Sequence, residues 1–173
     1  MDIVHCMSPK TLSFHDVYSR YAKDVLRFSF WLCGNADEAK DITSETFTRV
    51  WTSDVEIRVE TVKAYLFTIA RNLYLHDIRR KKKFVALDER IPDTAGGPEE
   101  FAESRLVLDD VRKALQTLPE IDRTVLLMRA ENDLSYDEIS RSTGLSLSAV
   151  KVKLFRARVK IHSVMTKQQG ERL

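Results

Sequence analysis

Apolar residues recur every three to four positions over most of the chain, and no alternating strand-like run stands out. Phe14, Val17, Tyr18, Tyr21, Val25, Phe28 and Leu32 trace one helical stripe, which Gly34 closes. Asn35 followed by Glu38 reads as an N-x-x-E cap that opens a second helix. Its buried face is expected to hold Ala39, Ile42, Thr43, Phe47, Val50 and Trp51, with Asp37, Asp41, Ser44, Glu45 and Thr48 on the other side. Residues 52–60 read as a loop. A third helix is predicted from about residue 61 to 80, with Val62, Leu66, Ile69 and Leu73 on its core face. From about 84 to 104 the period is lost, and Pro92, Gly96, Gly97 and Pro98 forbid a continuous helix. Helical spacing returns with Leu108, Val111, Leu115 and Leu118. Pro119 suits the first turn of a helix that buries Ile121, Val125, Leu126 and Met128.

The next stretch carries the most local information. Ser135 with Glu138 is a capping box, and Ile139 faces inward on the short helix that follows. Gly144 stands where that helix must stop, and Ser146 is a second N-cap candidate two residues on. Val150, Leu154, Ala157 and Ile161 then recur at helical spacing. Helix, tight turn and longer helix make a helix-turn-helix. The longer helix carries Lys151, Lys153, Arg156, Arg158 and Lys160, with no Asp or Glu between Ile139 and Gly170. A solvated face normally mixes both signs, so a single sign on this helix marks a DNA-binding surface.

Composition sharpens this picture. The 173 residues are 43% hydrophobic and 31% charged with few Gly and Pro, which fits an all-α protein of two small helical domains. The net charge of +2 conceals its distribution. Residues 1–83 hold 14 Lys/Arg against 11 Asp/Glu, residues 84–104 hold one Arg against six acids, and residues 105–173 hold 13 against 9. Two basic lobes therefore flank a flexible acidic linker. The run Arg79, Arg80, Lys81, Lys82, Lys83 exceeds what helix capping needs and suits phosphate contacts. Cys6 and Cys33 are too far apart in sequence for a zinc spacing or a disulfide framework. No metal and no cofactor is expected. No signal peptide and no run of about 20 apolar residues is present, so a cytosolic protein is expected.

Three segments in this order resemble the extracytoplasmic-function (ECF) group of bacterial sigma factors. ADEAKDITSETFTRVW (residues 36–51) is similar to the polymerase-binding segment of sigma region 2, through Asp41, Glu45, Phe47, Val50 and Trp51. VKAYLFTIARNLYLHDIRRKK (residues 62–82) resembles the promoter-recognition and melting helix of the same region. Residues 118–161 resemble region 4. The chain departs from the common pattern at Tyr65, where Trp is frequent, at Ser140, where Ala is usual, and at Val152 and Lys153, where a Ser-Arg pair is frequent.

The resemblance implies a region 2 domain over residues 1–83, an acidic linker over 84–104 that threads the polymerase RNA channel, and a region 4 domain over 105–173. It implies that Asp37, Asp41, Glu45, Thr48 and Arg49 dock on the clamp helices of the largest subunit of core RNA polymerase, with region 4 on the flap of the second-largest. Asn72, His76, Arg79 and Arg80, with Asp54, Val55 and Arg58 from the preceding loop, are expected at the minus-ten element. Ala149, Lys151, Val152, Lys153, Phe155, Arg156, Arg158 and Lys160 are expected at the minus-thirty-five element. The implied role is promoter-specific initiation without catalysis of its own and without a small-molecule substrate. An anti-sigma factor is an expected partner and could hold the protein at the membrane. The competing expectation is a helix-turn-helix regulator acting without polymerase, which would usually dimerise on a two-fold site. An enzyme acting on nucleic acid is disfavoured, because no His or further carboxylate completes a metal site with Asp37, Asp41 and Glu45.

Overall fold

The computed structural model describes residues 12–53, 62–85 and 102–170. Among the described residues there are seven helices and no strand: α1 Phe14–Cys33, α2 Ala36–Thr52, α3 Val62–Val85, α4 Ala102–Gln116, α5 Glu120–Ala130, α6 Tyr136–Thr143 and α7 Leu147–Gly170. The loop residues Asp54, Val55 and Arg58 and the linker residues 86–101 lie outside the described residues.

The helix boundaries follow from local chemistry. Ser13 Oγ accepts the Asp16 amide at 3.2 Å and starts α1. Gly34 ends it with φ 78°, its N–H donating to Phe30 O at 2.7 Å. A Cβ at Gly34 would sit 3.0 Å from the Gln116 side chain, which would have to shift, while the positive φ by itself favours glycine. Asn35 Oδ1 accepts the Asp37 and Glu38 amides at 2.9 and 3.1 Å. Glu38 does not close a box there; its carboxylate takes the Lys81 ammonium from the end of α3.

Helices α1, α2 and α3 pack around Phe28, Leu32, Leu66 and Phe67, with the two phenyl rings 4.7 Å apart. Helices α5, α6 and α7 enclose Val125, Met128, Ile139, Val150 and Leu154. The two lobes also touch: α5 packs on α1, α6 on α3, and α4 on α1. One hydrophobic core runs through both.

Several positions differ from their expected burial, among them Tyr18 of the α1 stripe, which is 50% exposed. Trp51 is 67% exposed, because it lies one residue past buried Val50 and so about 100° further round α2. Leu108 is exposed, while Ala114 faces inward on α4. Leu127 is buried on α5 and Leu126 only half-buried. A 3.6-residue period assumes one buried face, and α5 is covered on more than one side.

That covering explains a run of buried polar side chains, Asp122, Arg123 and Thr124. Arg71 on α3 donates from Nε and Nη2 to the Glu120 carboxylate at 2.8 and 3.2 Å, and Thr124 donates to the same carboxylate at 2.8 Å. Arg123 donates from Nη2 to the Tyr74 hydroxyl at 2.9 Å and from Nη1 to Gln116 Oε1. Gln116 in turn donates to Trp31 O at 3.2 Å, and Arg112 to Gly34 O at 3.3 Å. Burial pushes the Tyr74 phenol above its ordinary range, although the neighbouring Arg123 opposes this.

Tyr74→Phe therefore removes a buried acceptor while keeping the ring. Arg123 is only 4% exposed, and its guanidinium loses one partner. The expected cost is about 1–3 kcal/mol, read as a lower urea midpoint at unchanged m-value. An unchanged midpoint would show that the phenol–guanidinium bond contributes nothing to stability.

Candidate nucleic-acid interface

The helix-turn-helix is built as its residues demand. Ser135 Oγ accepts the Glu138 amide at 3.2 Å, and Glu138 Oε2 accepts the Ser135 amide at 2.7 Å, completing the capping box. Burial raises the pKa of Glu138, but the bonds from the Ser135 hydroxyl and amide outweigh it and hold the carboxyl below its ordinary value. Gly144 takes φ 72° and donates to Ser140 O at 2.9 Å. The Ser140 hydroxyl donates across the turn to Leu145 O at 2.5 Å, a contact that an alanine could not make. Ser146 Oγ accepts the Ala149 amide at 3.2 Å and starts α7.

On α7, Val150, Leu154 and Ala157 are buried and Ile161 is half-buried. The face opposite is open: Lys151, Val152, Phe155, Arg156, Arg158, Val159 and Lys160 are all exposed. Lys151 Nζ lies 6.0 Å from the Tyr136 ring centroid, and Lys160 Nζ donates to Thr117 O at 2.9 Å. Ala149 is half-buried at the edge of this face. Lys153 stands apart from its predicted companions. Its ammonium turns back to Asp122 on α5 at 3.0 Å, with the two side chains 25% and 12% exposed. Its place in the helical period, beside the buried face, explains why.

Helix α3 repeats the division. Leu66, Phe67, Ala70, Leu73 and Tyr74 are buried, and Asn72, His76, Arg79 and Arg80 form one exposed stripe on the far side. Asp77 approaches both His76 Nδ1, at 3.7 Å, and Arg80, at 3.5 Å. The stripe offers an amide, an imidazole and two guanidinium groups, which can hydrogen-bond base edges and phosphates.

Helix α2 carries the opposite charge. Asp37, Asp41, Glu45, Thr48 and Arg49 are exposed. Asp37 pairs with Lys40 at 3.0 Å and Glu45 with Arg49 at 2.9 Å, both on the surface. Beside them lies a feature that periodicity alone did not suggest. Phe14, Tyr18, Phe47, Thr48 and Trp51 line a groove of about 450 Å³. The Trp51 ring meets Phe14 edge-on at 4.7 Å and otherwise faces solvent. Counting 100° per residue from Val50 would have placed Trp51 off the core face. Among the described residues no group of three or more His, Cys, Asp or Glu could hold a metal ion. Cys33 is a free thiol whose pKa burial pushes up to about 11, so it stays protonated at neutral pH.

The sequence matches the family model for sigma-70 region 2 over residues 17–84 and that for sigma-70 region 4 over residues 108–161. It is similar to RNA polymerase sigma factor YlaC of Bacillus subtilis, at 28% identity covering 92% of this chain and 95% of that protein. It is also similar to ECF RNA polymerase sigma factor SigE of Mycolicibacterium smegmatis, at 30% identity covering 92% of this chain and 64% of that protein. In fold it is similar to sigma factor RpoE of Bartonella quintana, solved in complex with the anti-sigma factor NepR. That match has a TM-score of 0.75 at 23% identity and covers 88% of this chain and 96% of that one. CnrH, solved with the cytosolic domain of CnrY, gives a TM-score of 0.66 at 22% identity over 89% of this chain and 88% of that one.

The two lysines at 151 and 153 are expected to behave differently. Lys153→Ala strands the largely buried Asp122 carboxylate and should lower stability by about 1–3 kcal/mol, while the salt dependence of duplex-DNA binding stays the same. Lys151→Ala should leave stability within about 0.5 kcal/mol and reduce the salt slope by about one unit. Thermal unfolding and salt-titrated gel shifts distinguish the two. A reversed pattern would put Lys153, not Lys151, on the DNA.

Proposed function

The chain belongs to the ECF group of the sigma-70 family of RNA polymerase sigma factors, and on that premise we propose how its two lobes divide the work of transcription initiation. Residues 1–83 form the region 2 domain, 84–104 the linker and 105–173 the region 4 domain. The acidic stripe of α2 docks on the clamp helices of the largest polymerase subunit, and region 4 rests on the flap of the second-largest. The outward stripe of α3, Asn72, His76, Arg79 and Arg80, meets the minus-ten element as it opens. The outward face of α7 enters the major groove of the minus-thirty-five element. The polymerase performs the chemistry, and this chain supplies no catalytic group.

One observation carries this assignment. Helices α3 and α7 each bury one face in the core that the lobes share and turn the opposite, basic face outward. A regulator acting alone would need α6 and α7 but would give no role to the acidic face of α2 beside the groove at Trp51. No helix among the described residues is long and apolar enough to cross a membrane; the proposed partnership with core polymerase would put the chain in the cytoplasm. One structural neighbour was solved with an anti-sigma factor and another with the cytosolic domain of a second protein, which supports an anti-sigma factor as the antagonist here.

Reversing charge at Asp41 and Glu45 should weaken binding to core polymerase at least tenfold while helical circular dichroism stays intact. Both side chains are exposed, so folding should change by less than about 0.5 kcal/mol. Unchanged affinity for core enzyme would remove the acidic stripe from the docking surface. On α3, Asn72→Ala and His76→Ala should impair promoter melting more than closed-complex formation. Permanganate footprinting beside gel shift separates the two steps, and unimpaired melting would take the minus-ten contacts off α3.

A further inference from the structure

Beyond Leu147 at its first position, three apolar side chains on α7 are exposed where a solvated helix would carry polar ones. Val152 is 46%, Phe155 69% and Val159 52% exposed. At about 100° per residue they fall on one line, directly opposite the buried Val150, Leu154 and Ala157. The cations lie to either side of that line: Lys151 and Arg158 along one edge, Arg156 and Lys160 along the other. An apolar strip between two cationic rails has the profile of a surface that lies deep in a groove with phosphates on both walls. On the floor of the major groove, the group that rewards an apolar contact is the 5-methyl of thymine. A hydrogen-bonding base edge facing Val152 or Phe155 would instead lose its water without a partner.

We propose that Val152 and Phe155 select thymine in the upstream promoter element by packing against its 5-methyl group, with Val159 extending the strip along the groove. This rests on the placement of α7 in the minus-thirty-five duplex. The cations hold the helix in register through phosphates and at most one or two base edges, while the apolar strip supplies preference at the positions it covers. Covering by a partner protein is the competing use of the strip. It is disfavoured by the four flanking cations and by the absence of any carboxylate from residue 140 to 170, a pattern suited to a polyanion.

The test uses the full chain assembled with core polymerase. An upstream element is first selected from a randomised promoter library. Each thymine in it is then replaced singly by deoxyuridine, which removes the methyl group and leaves base pairing unchanged. At one or two positions the replacement should reduce holoenzyme affinity roughly three- to tenfold, the scale of one lost apolar contact. In Val152→Ser or Phe155→Ser the thymine-over-deoxyuridine ratio at those positions should fall towards one, a coupling that general loss of binding does not produce. An element without thymine on the strip, a ratio near one at every thymine, or ratios unchanged in both variants would overturn the proposal. So would loss of core binding by these variants in the absence of DNA, which would assign the strip to a protein. If the assembled enzyme selects no element and yields no transcript, the sigma-factor placement of α7 fails instead, and the two failures are distinct.

Discussion

The surfaces proposed to meet DNA depend on what the two long helices bury. Val150, Leu154 and Ala157 must reach the core beneath α7, and Leu66, Ala70 and Leu73 the core beneath α3. Once those side chains are fixed, helical geometry assigns every other position on each helix an outward direction. Lys151, Phe155 and Arg156 face away from the protein for this reason, and so do Asn72 and His76. The same constraint sets Lys153 beside the buried face and makes it a partner for Asp122. Charge by itself does not make a DNA contact; charge at the right angle from a buried stripe does.

The junction between the lobes follows a different logic. Two neighbouring polar networks, Arg71–Glu120–Thr124 and Tyr74–Arg123–Gln116, have few members that face water. Such a network is directional, so it fixes how α5 sits against α3 in a way that apolar contact alone would not. It also ties the helix that carries Asn72 and His76 to the lobe that carries the helix-turn-helix. Buried ion pairs of this kind contribute more to a defined arrangement than to net stability, since desolvation offsets much of the attraction.

Much of this was legible in the sequence, for physical reasons that differ from place to place. The Ser135–Glu138 box and the Gly144 turn are local, requiring only residues within one helical turn, and both form as read. Single-faced helices such as α1 and α7 declared their core by periodicity. Helix α5 did not, because neighbours cover it on several sides and its Arg123 and Asp122 are buried by chain that lies elsewhere in the sequence. Glu38 shows the same limit: a local cap was the natural expectation, and a cation 43 residues away took the carboxylate. Trp51 was misplaced by treating two adjacent apolar residues as sharing one face. The groove it forms with Phe14 and Tyr18 could only appear once α1 and α2 were laid side by side.

The most direct measurement is multi-round transcription by core polymerase on a template bearing the promoter upstream of this chain's own gene, with and without the purified protein. The assignment predicts a run-off transcript of defined length that requires the chain, rises with its concentration to saturation at one equivalent per polymerase, and disappears when Asp41 and Glu45 are reversed together. Tight sequence-specific DNA binding by the chain alone, with no chain-dependent transcript from core polymerase on that template or on fragments selected by that binding, would contradict it.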